Sequence, residues 1–192
     1  MVMKKQKNDQ PKHVYHHVTR DEYDKLLEQC PDQEWRVMLA LARYGGLRCP
    51  SETLQLRWAD IDWKGKGIRV TSNTKFKIGR TVPLFPNVRK ELEALFKATK
   101  KEKNEFVINQ FPDRKKANLP LRFAKINRQA GLETIRRPFG SLRLSRATEL
   151  WNEFDYFLTC TWMGTLSAVS TGMHLTRTVT KKEVMKAAEW AG

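Results

Sequence analysis

Apolar residues recur along this chain at intervals of three and four, with short alternating runs between them. The two periodicities divide it into helices and strands. Thr19-Arg20-Asp21-Glu22 offers an N-cap hydroxyl with a glutamate three residues on, so a helix opens there, carries Tyr23, Leu26 and Leu27 on one face, and stops near Pro31. Trp35, Met38, Leu39 and Ala42 form the apolar stripe of a helix from Gln33 to Tyr44, ended by Gly45-Gly46. Pro50-Ser51 starts a short helix holding Leu54 and Leu56. After the turn-rich stretch Asp60–Gly67, Ile68-Arg69-Val70-Thr71 alternates as a half-buried strand does. Arg80-Thr81-Val82-Pro83-Leu84 is a second strand, and Pro83 confines it to an edge or marks its end. The connection Ser72–Gly79 leaves Lys75 and Lys77 on an exposed hairpin tip.

Downstream, Asn87 is placed to cap a helix whose apolar face is Val88, Leu92, Leu95 and Phe96. A charged linker spans Lys97–Glu105, and a helix from Asn118 to Ala130 closes at Gly131. Arg136–Gly140 reads as a loop. Ser141 or a neighbour then opens a helix carrying Leu142, Leu150, Trp151 and Phe154. Tyr156–Met163 is helical up to Gly164, and Lys181–Trp190 is a short final helix. The expected fold class is α+β, mainly helical, with a small antiparallel sheet.

Composition narrows the class. A length of 192 residues fits one domain, and an apolar fraction of 40% is too high for a disordered chain. No apolar run is long enough to cross a membrane, and no apolar segment follows the basic start as a secretory signal requires. Residues 1–17 read as a mobile basic tail ahead of one domain over 18–192. His13, His16 and His17 lie in that tail without a carboxylate at ligand spacing, so no metal is expected there. Cys30, Cys49 and Cys160 are odd in number and far apart, which argues for a reducing, cytoplasmic compartment. No motif implies a cofactor.

The charge is the informative quantity. The net is +15, from 36 Lys and Arg against 21 Asp and Glu. Residues 1–63 hold 10 basic and 10 acidic side chains, and residues 144–192 hold 5 of each. Residues 64–143 hold 21 basic and 6 acidic, so the whole excess falls in that stretch. So segregated an excess makes a positive field over one surface, and the usual partner of such a field is a polyphosphate.

Five elements in order then resemble the tyrosine recombinases, or phage integrases. Gly45-Gly46-Leu47-Arg48-Cys49-Pro50-Ser51-Glu52 resembles the first arginine box, with its acidic residue about a turn later. Trp58-Ala59-Asp60-Ile61-Asp62 resembles the family's lead-in to its sheet. Thr74-Lys75 and Arg80–Leu84 resemble its lysine-bearing hairpin. Leu142-Arg143-Leu144-Ser145-Arg146-Ala147-Thr148 resembles the second arginine box, and Trp162-Met163-Gly164 the tryptophan–glycine element. The wording around Cys30-Pro31-Asp32 and Gly45–Glu52 is similar to integrase-type proteins of planctomycetes. The resemblance implies an integrase-like catalytic domain over 18–192 without the family's N-terminal core-binding domain. It implies duplex DNA as partner and assembly as a tetramer through helix 181–190.

The family attacks a phosphodiester with a tyrosine, leaving a 3′-phosphotyrosine. Its chemistry needs guanidiniums, which stay charged and donate paired hydrogen bonds to the non-bridging oxygens. Arg48 and Arg143 take those roles by resemblance. Lys75, with Lys77 as second choice, is the proton donor to the leaving oxygen. Lys77, Arg80, Arg136, Arg137 and Arg146 are candidate phosphate contacts. Three positions depart from the pattern. The family's histidines are replaced by Gly140 and Thr165, and the nucleophile aligns with His174 or Thr176 rather than a tyrosine. Two functions follow: a DNA strand-exchange enzyme, or a catalytically inactive DNA-binding protein on the same scaffold. A general RNA or polyanion binder is a third.

Overall fold

A computed structural model of the chain describes residues 15–71, 79–99, 105–111 and 118–165. Its architecture is mainly helical with one small antiparallel sheet, as the periodicities require. Helix α1 is Arg20–Glu28, opened by the expected reciprocal cap. The Thr19 hydroxyl accepts from the Glu22 N–H at 3.2 Å, and the Glu22 carboxylate accepts from the Thr19 N–H at 2.8 Å. Helix α2, Gln33–Arg43, is the centre of the core. Every residue from Val37 to Arg43 is buried, because α2 packs on three other helices at once and not along a single stripe.

The sheet consists of β1 (Ile61–Asp62), β2 (Gly67–Val70) and β3 (Arg80–Pro83), in that order. Ile68 pairs with Ile61 on one side and Val82 on the other, and Ile68 and Val82 are fully buried. Pro83 ends the edge strand β3, where a missing N–H costs least. The register Val70↔Arg80 fixes Arg80 at the start of β3.

Among the described residues four more helices follow: α3 (Pro86–Ala98), α4 (Leu119–Gln129), α5 (Pro138–Glu153) and α6 (Tyr156–Met163). α2 packs on α3 and on α5, and α6 packs on α5 and β3. Several local expectations need correction. Pro86, not Asn87, begins α3: its fixed φ suits the first helical position, and Phe85 flanks the helix without a side-chain cap. Pro138 likewise starts α5, so Gly140 lies in the first turn of a helix and not in a loop. The helix expected from Pro50-Ser51 is a set of turns followed by the 3₁₀ turn Thr53–Gln55. Trp151, expected on the apolar face of α5, is 56% exposed. Tyr15 and His16, expected in the tail, are placed against α5. No helix among the described residues is long and apolar enough to cross a membrane.

One buried ion pair sets α2 against α5. Arg43 is 0% exposed and donates to both oxygens of Glu149, at 2.9 and 2.5 Å. Its Nε donates to the Val18 carbonyl at 3.1 Å. A fully buried guanidinium must be matched in this way, since an unpaired one is strongly destabilising. The pair fixes the end of α2, and the turn that follows it, relative to the middle of α5.

Candidate functional site

The turn after α2 closes on itself. Gly46 has φ +65°, the left-handed conformation that ends a helix, and a Cβ there would lie 2.8 Å from the Met163 Sδ. The chain then passes through the buried Leu47 and presents Arg48. The Arg48 carbonyl accepts from the Glu52 N–H at 2.8 Å, while the Arg48 N–H and Nη1 donate to the Glu52 carboxylate at 2.8 and 2.7 Å. The spacing of four residues in Arg48-Cys49-Pro50-Ser51-Glu52 therefore builds a turn that holds its own arginine.

Glu52 also receives a second arginine from the sheet. Arg80, at the head of β3, donates from Nη1 and Nη2 to the two Glu52 oxygens, both at 2.8 Å. Such a forked pair is the strongest arrangement available to a guanidinium and a carboxylate. Arg143 comes from α5, and its guanidinium donates to the Gly46 and Met163 carbonyls.

All three arginines meet at the C-terminal end of α6. Arg80 Nε donates to the Trp162 carbonyl at 2.7 Å, Arg143 Nη2 to that of Met163, and Arg48 Nη2 to that of Gly164 at 2.8 Å. The carbonyls at a helix C-terminus lack partners within the helix and carry its partial negative charge, so they attract cations. Gly164 makes this convergence possible. Its φ is +63°, and a Cβ there would lie 3.0 Å from the Arg80 Cδ and Nη1.

The electrostatics follow from the count. Among the described residues three guanidiniums face one carboxylate, which leaves two positive charges in excess. Burial raises the Glu52 carboxyl, but the Arg80 hydrogen bonds and charge, with Arg48, override it and hold the group at about 2. Burial, with Arg48 and Arg80 nearby, pulls Arg143 down to about 9, so it remains charged at neutral pH. Arg48 keeps 31% of its side chain exposed and Arg80 only 6%. Arg48 is thus the face of the cluster and Arg80 its support. A cavity of about 470 Å³ opens beside Glu52, lined among others by Arg57, Arg69 and Thr71, the last described residue before the Ser72–Gly79 connection.

The sequence-derived site residues divide accordingly. Arg48 and Arg143 come together. Arg80 joins them, but as a partner of Glu52 rather than a free surface contact. Arg136 and Arg137 are exposed at the start of α5. Arg146, expected to meet phosphate, is buried instead. Its guanidinium lies 4.5 Å from the Phe85 ring centroid and 5.5 Å from that of Trp162, those rings stack at 5.0 Å, and its Nη1 donates to Glu149 at 3.3 Å. Gly140 sits one turn before Arg143. Thr165 follows Gly164, with its hydroxyl directed to the Cys160 carbonyl at 3.5 Å. Lys75, Lys77, His174, Thr176 and helix 181–190 lie outside the described residues. Sequence reasoning gave Glu52 no role of its own, although its spacing of four from Arg48 was the available signal. It also missed Arg43 and Glu149, which are 106 residues apart.

Comparisons with known proteins bear on the family and the fold. Residues 16–155 match the phage integrase family. No functionally curated protein matches the chain. Among solved structures it is similar to the XerA recombinase, with a TM-score of 0.69 and 19% identity, covering 94% of this chain and 66% of that one. It is also similar to the integrase from mycobacterium phage Brujita, with a TM-score of 0.65 and 20% identity, covering 94% and 59%. A third is the Tn1549 transposon integrase in complex with circular intermediate DNA, with a TM-score of 0.62 and 18% identity, covering 95% and 66%. At such identities the likeness is one of fold. The chain spans 66% of the XerA recombinase and 59% of the Brujita integrase.

Proposed function

The chain belongs to the phage integrase family, and on that premise we propose that it binds duplex DNA and sets Arg48 and Arg143 around one phosphodiester. The observation that carries this reading is the convergence of Arg48, Arg80 and Arg143 on the end of α6, around Glu52. A phosphodiester carries one negative charge, and its five-coordinate transition state gains a second on the non-bridging oxygens. Two surplus positive charges match that state, and fixed donors stabilise it without reorganising. Arg48 and Arg143 are the phosphate ligands, Arg80 is a positioning residue, and Lys75 is the proton donor for the 5′-oxygen that leaves as the imidazole of His174 or the hydroxyl of Thr176 bonds to phosphorus. Lys77, Arg136 and Arg137 extend the contact along the backbone. Residues 18–192 form the catalytic-type domain, and copies assemble on DNA through residues 181–190.

A second reading has its own support. Glycine at 140, threonine at 165, and histidine or threonine where the nucleophile aligns leave the site without the family's tyrosine and both histidines. In this reading the scaffold is a DNA-binding module that performs no strand cleavage. One experiment divides the two. The full chain is incubated with end-labelled duplex and treated with detergent and phenol. A covalent protein–DNA adduct supports the enzyme. Salt-dependent binding without an adduct supports the module; with about four to six phosphates contacted, log affinity falls against log salt with a slope of about −4 to −5. Failure to bind duplex overturns both.

A further inference from the structure

Gly140 stands in the first turn of α5, and a ring from far away in the sequence occupies the space above it. A Cβ at this position would lie 2.9 Å from Tyr15 Cε1 and 3.5 Å from Tyr15 Cδ1. The ring is brought there by a short extended strap. The His16 N–H donates to the Ser141 hydroxyl at 3.1 Å, and the Val18 N–H to the Ser145 hydroxyl at 2.8 Å. Two hydroxyls one helical turn apart thus grip alternate amides of the strap. The Val18 carbonyl accepts from the buried Arg43, and the His16 ring is hydrogen-bonded to Glu22 at 2.8 Å. Tyr15 is therefore held in place by groups on α1, α2 and α5.

The phenol is open to solvent at its outer end, since Tyr15 is 39% exposed. Its oxygen accepts from Arg137 Nη1 at 3.5 Å, and the Arg137 guanidinium lies 5.8 Å from the ring centroid. An oxygen that accepts from a guanidinium keeps its own O–H free to donate. Position 140, which the ring covers, is three residues before Arg143 and neighbours it on the surface of α5.

We propose that Tyr15 replaces the side chain that position 140 lacks, with its hydroxyl, beside Arg137, donating to a DNA phosphate oxygen near the one held by Arg143. The proposal rests on the duplex-binding reading above. It makes residues 15–18 part of the nucleic-acid interface.

The test is fluorescence-anisotropy titration of the full chain with a labelled duplex of arbitrary sequence. The variants are Tyr15→Phe, Tyr15→Ala, Tyr15→Ala/Gly140→His, and Arg143→Gln. Tyr15→Phe keeps the ring and loses only the hydroxyl, so it binds about ten- to a hundredfold more weakly, as loss of one charge-assisted hydrogen bond implies, with an unchanged thermal midpoint. Tyr15→Ala weakens binding at least as much. The double variant regains affinity, because removal of the ring opens the space for an imidazole donor on α5. Wild-type affinity in Tyr15→Phe, or no recovery in the double variant, overturns the role of Tyr15. If Arg143→Gln loses affinity while Tyr15→Phe does not, the duplex-binding reading stands and this proposal alone falls. If wild type shows no salt-dependent binding, or Arg143→Gln binds equally well, both fall.

Discussion

Glu52→Gln isolates the element that holds the arginine cluster together. The substitution keeps the shape of the side chain and removes its charge. In the native protein the carboxylate accepts from the Arg48 N–H, Arg48 Nη1, Arg80 Nη1 and Arg80 Nη2, all within 2.8 Å. Holding the carboxyl at about 2 instead of 4.5 contributes about 3 kcal/mol at neutral pH, at about 1.4 kcal/mol per pH unit. The glutamine loses that contribution and also turns an N–H₂ toward guanidinium donors. Breaking one side of a buried charge pair costs about 3–5 kcal/mol. With an m-value of about 2 kcal/mol/M in urea, the unfolding midpoint falls by about 1.5–2.5 M, which tryptophan fluorescence reports through the buried Trp35 and Trp162. The pH dependence gives a second signature. The folded carboxyl lies below its unfolded value, so its stabilisation is complete above about pH 4.5 and is lost as the pH falls toward 2. Glu52→Gln flattens this part of the profile. A midpoint within about 0.5 M of wild type, or parallel acid profiles, would refute the claim that Glu52 organises the site.

Other perturbations separate support from contact. Glu149→Ala leaves the fully buried Arg43 without its carboxylate and costs about 3–5 kcal/mol, measured by urea unfolding. Gly164→Ala forces a Cβ into the left-handed region against Arg80; it costs about 1–2 kcal/mol from the backbone alone, and duplex titration shows weakened binding as Arg80 is displaced. Arg136→Gln lowers the salt slope of duplex binding by about one. Arg146→Gln lowers the unfolding midpoint but leaves that slope unchanged, because its guanidinium is packed on Phe85 and Trp162 and faces no solvent.

The sequence carries some of these features plainly and hides others for physical reasons. The Thr19–Glu22 cap and the glycines at 46 and 164 are local patterns, and each is realised where its spacing puts it. The helix class and the edge position of β3 follow from periodicity and from Pro83. Arg80 and Arg146 show the limit. In sequence both are arginines in or near a basic stretch, and nothing local distinguishes a phosphate contact from a partner of Glu52 or a cation stacked on two rings. That distinction comes from residues 28 positions away for Arg80 and from the Phe85–Trp162 stack for Arg146. The N-termini of α3 and α5 lie at Pro86 and Pro138 rather than at the polar Asn87 and Ser141, because proline's preset φ decides where each helix starts. Tyr15 over Gly140 is a contact across most of the chain, and no pattern of adjacent residues announces it.

The most direct measurement is a crystal structure of the chain bound to a short duplex. Arg48 and Arg143 meeting at the end of α6 predict a single backbone phosphate with its non-bridging oxygens about 3 Å from both guanidiniums. A duplex seated on the basic surface with no phosphate reaching either guanidinium would contradict that placement.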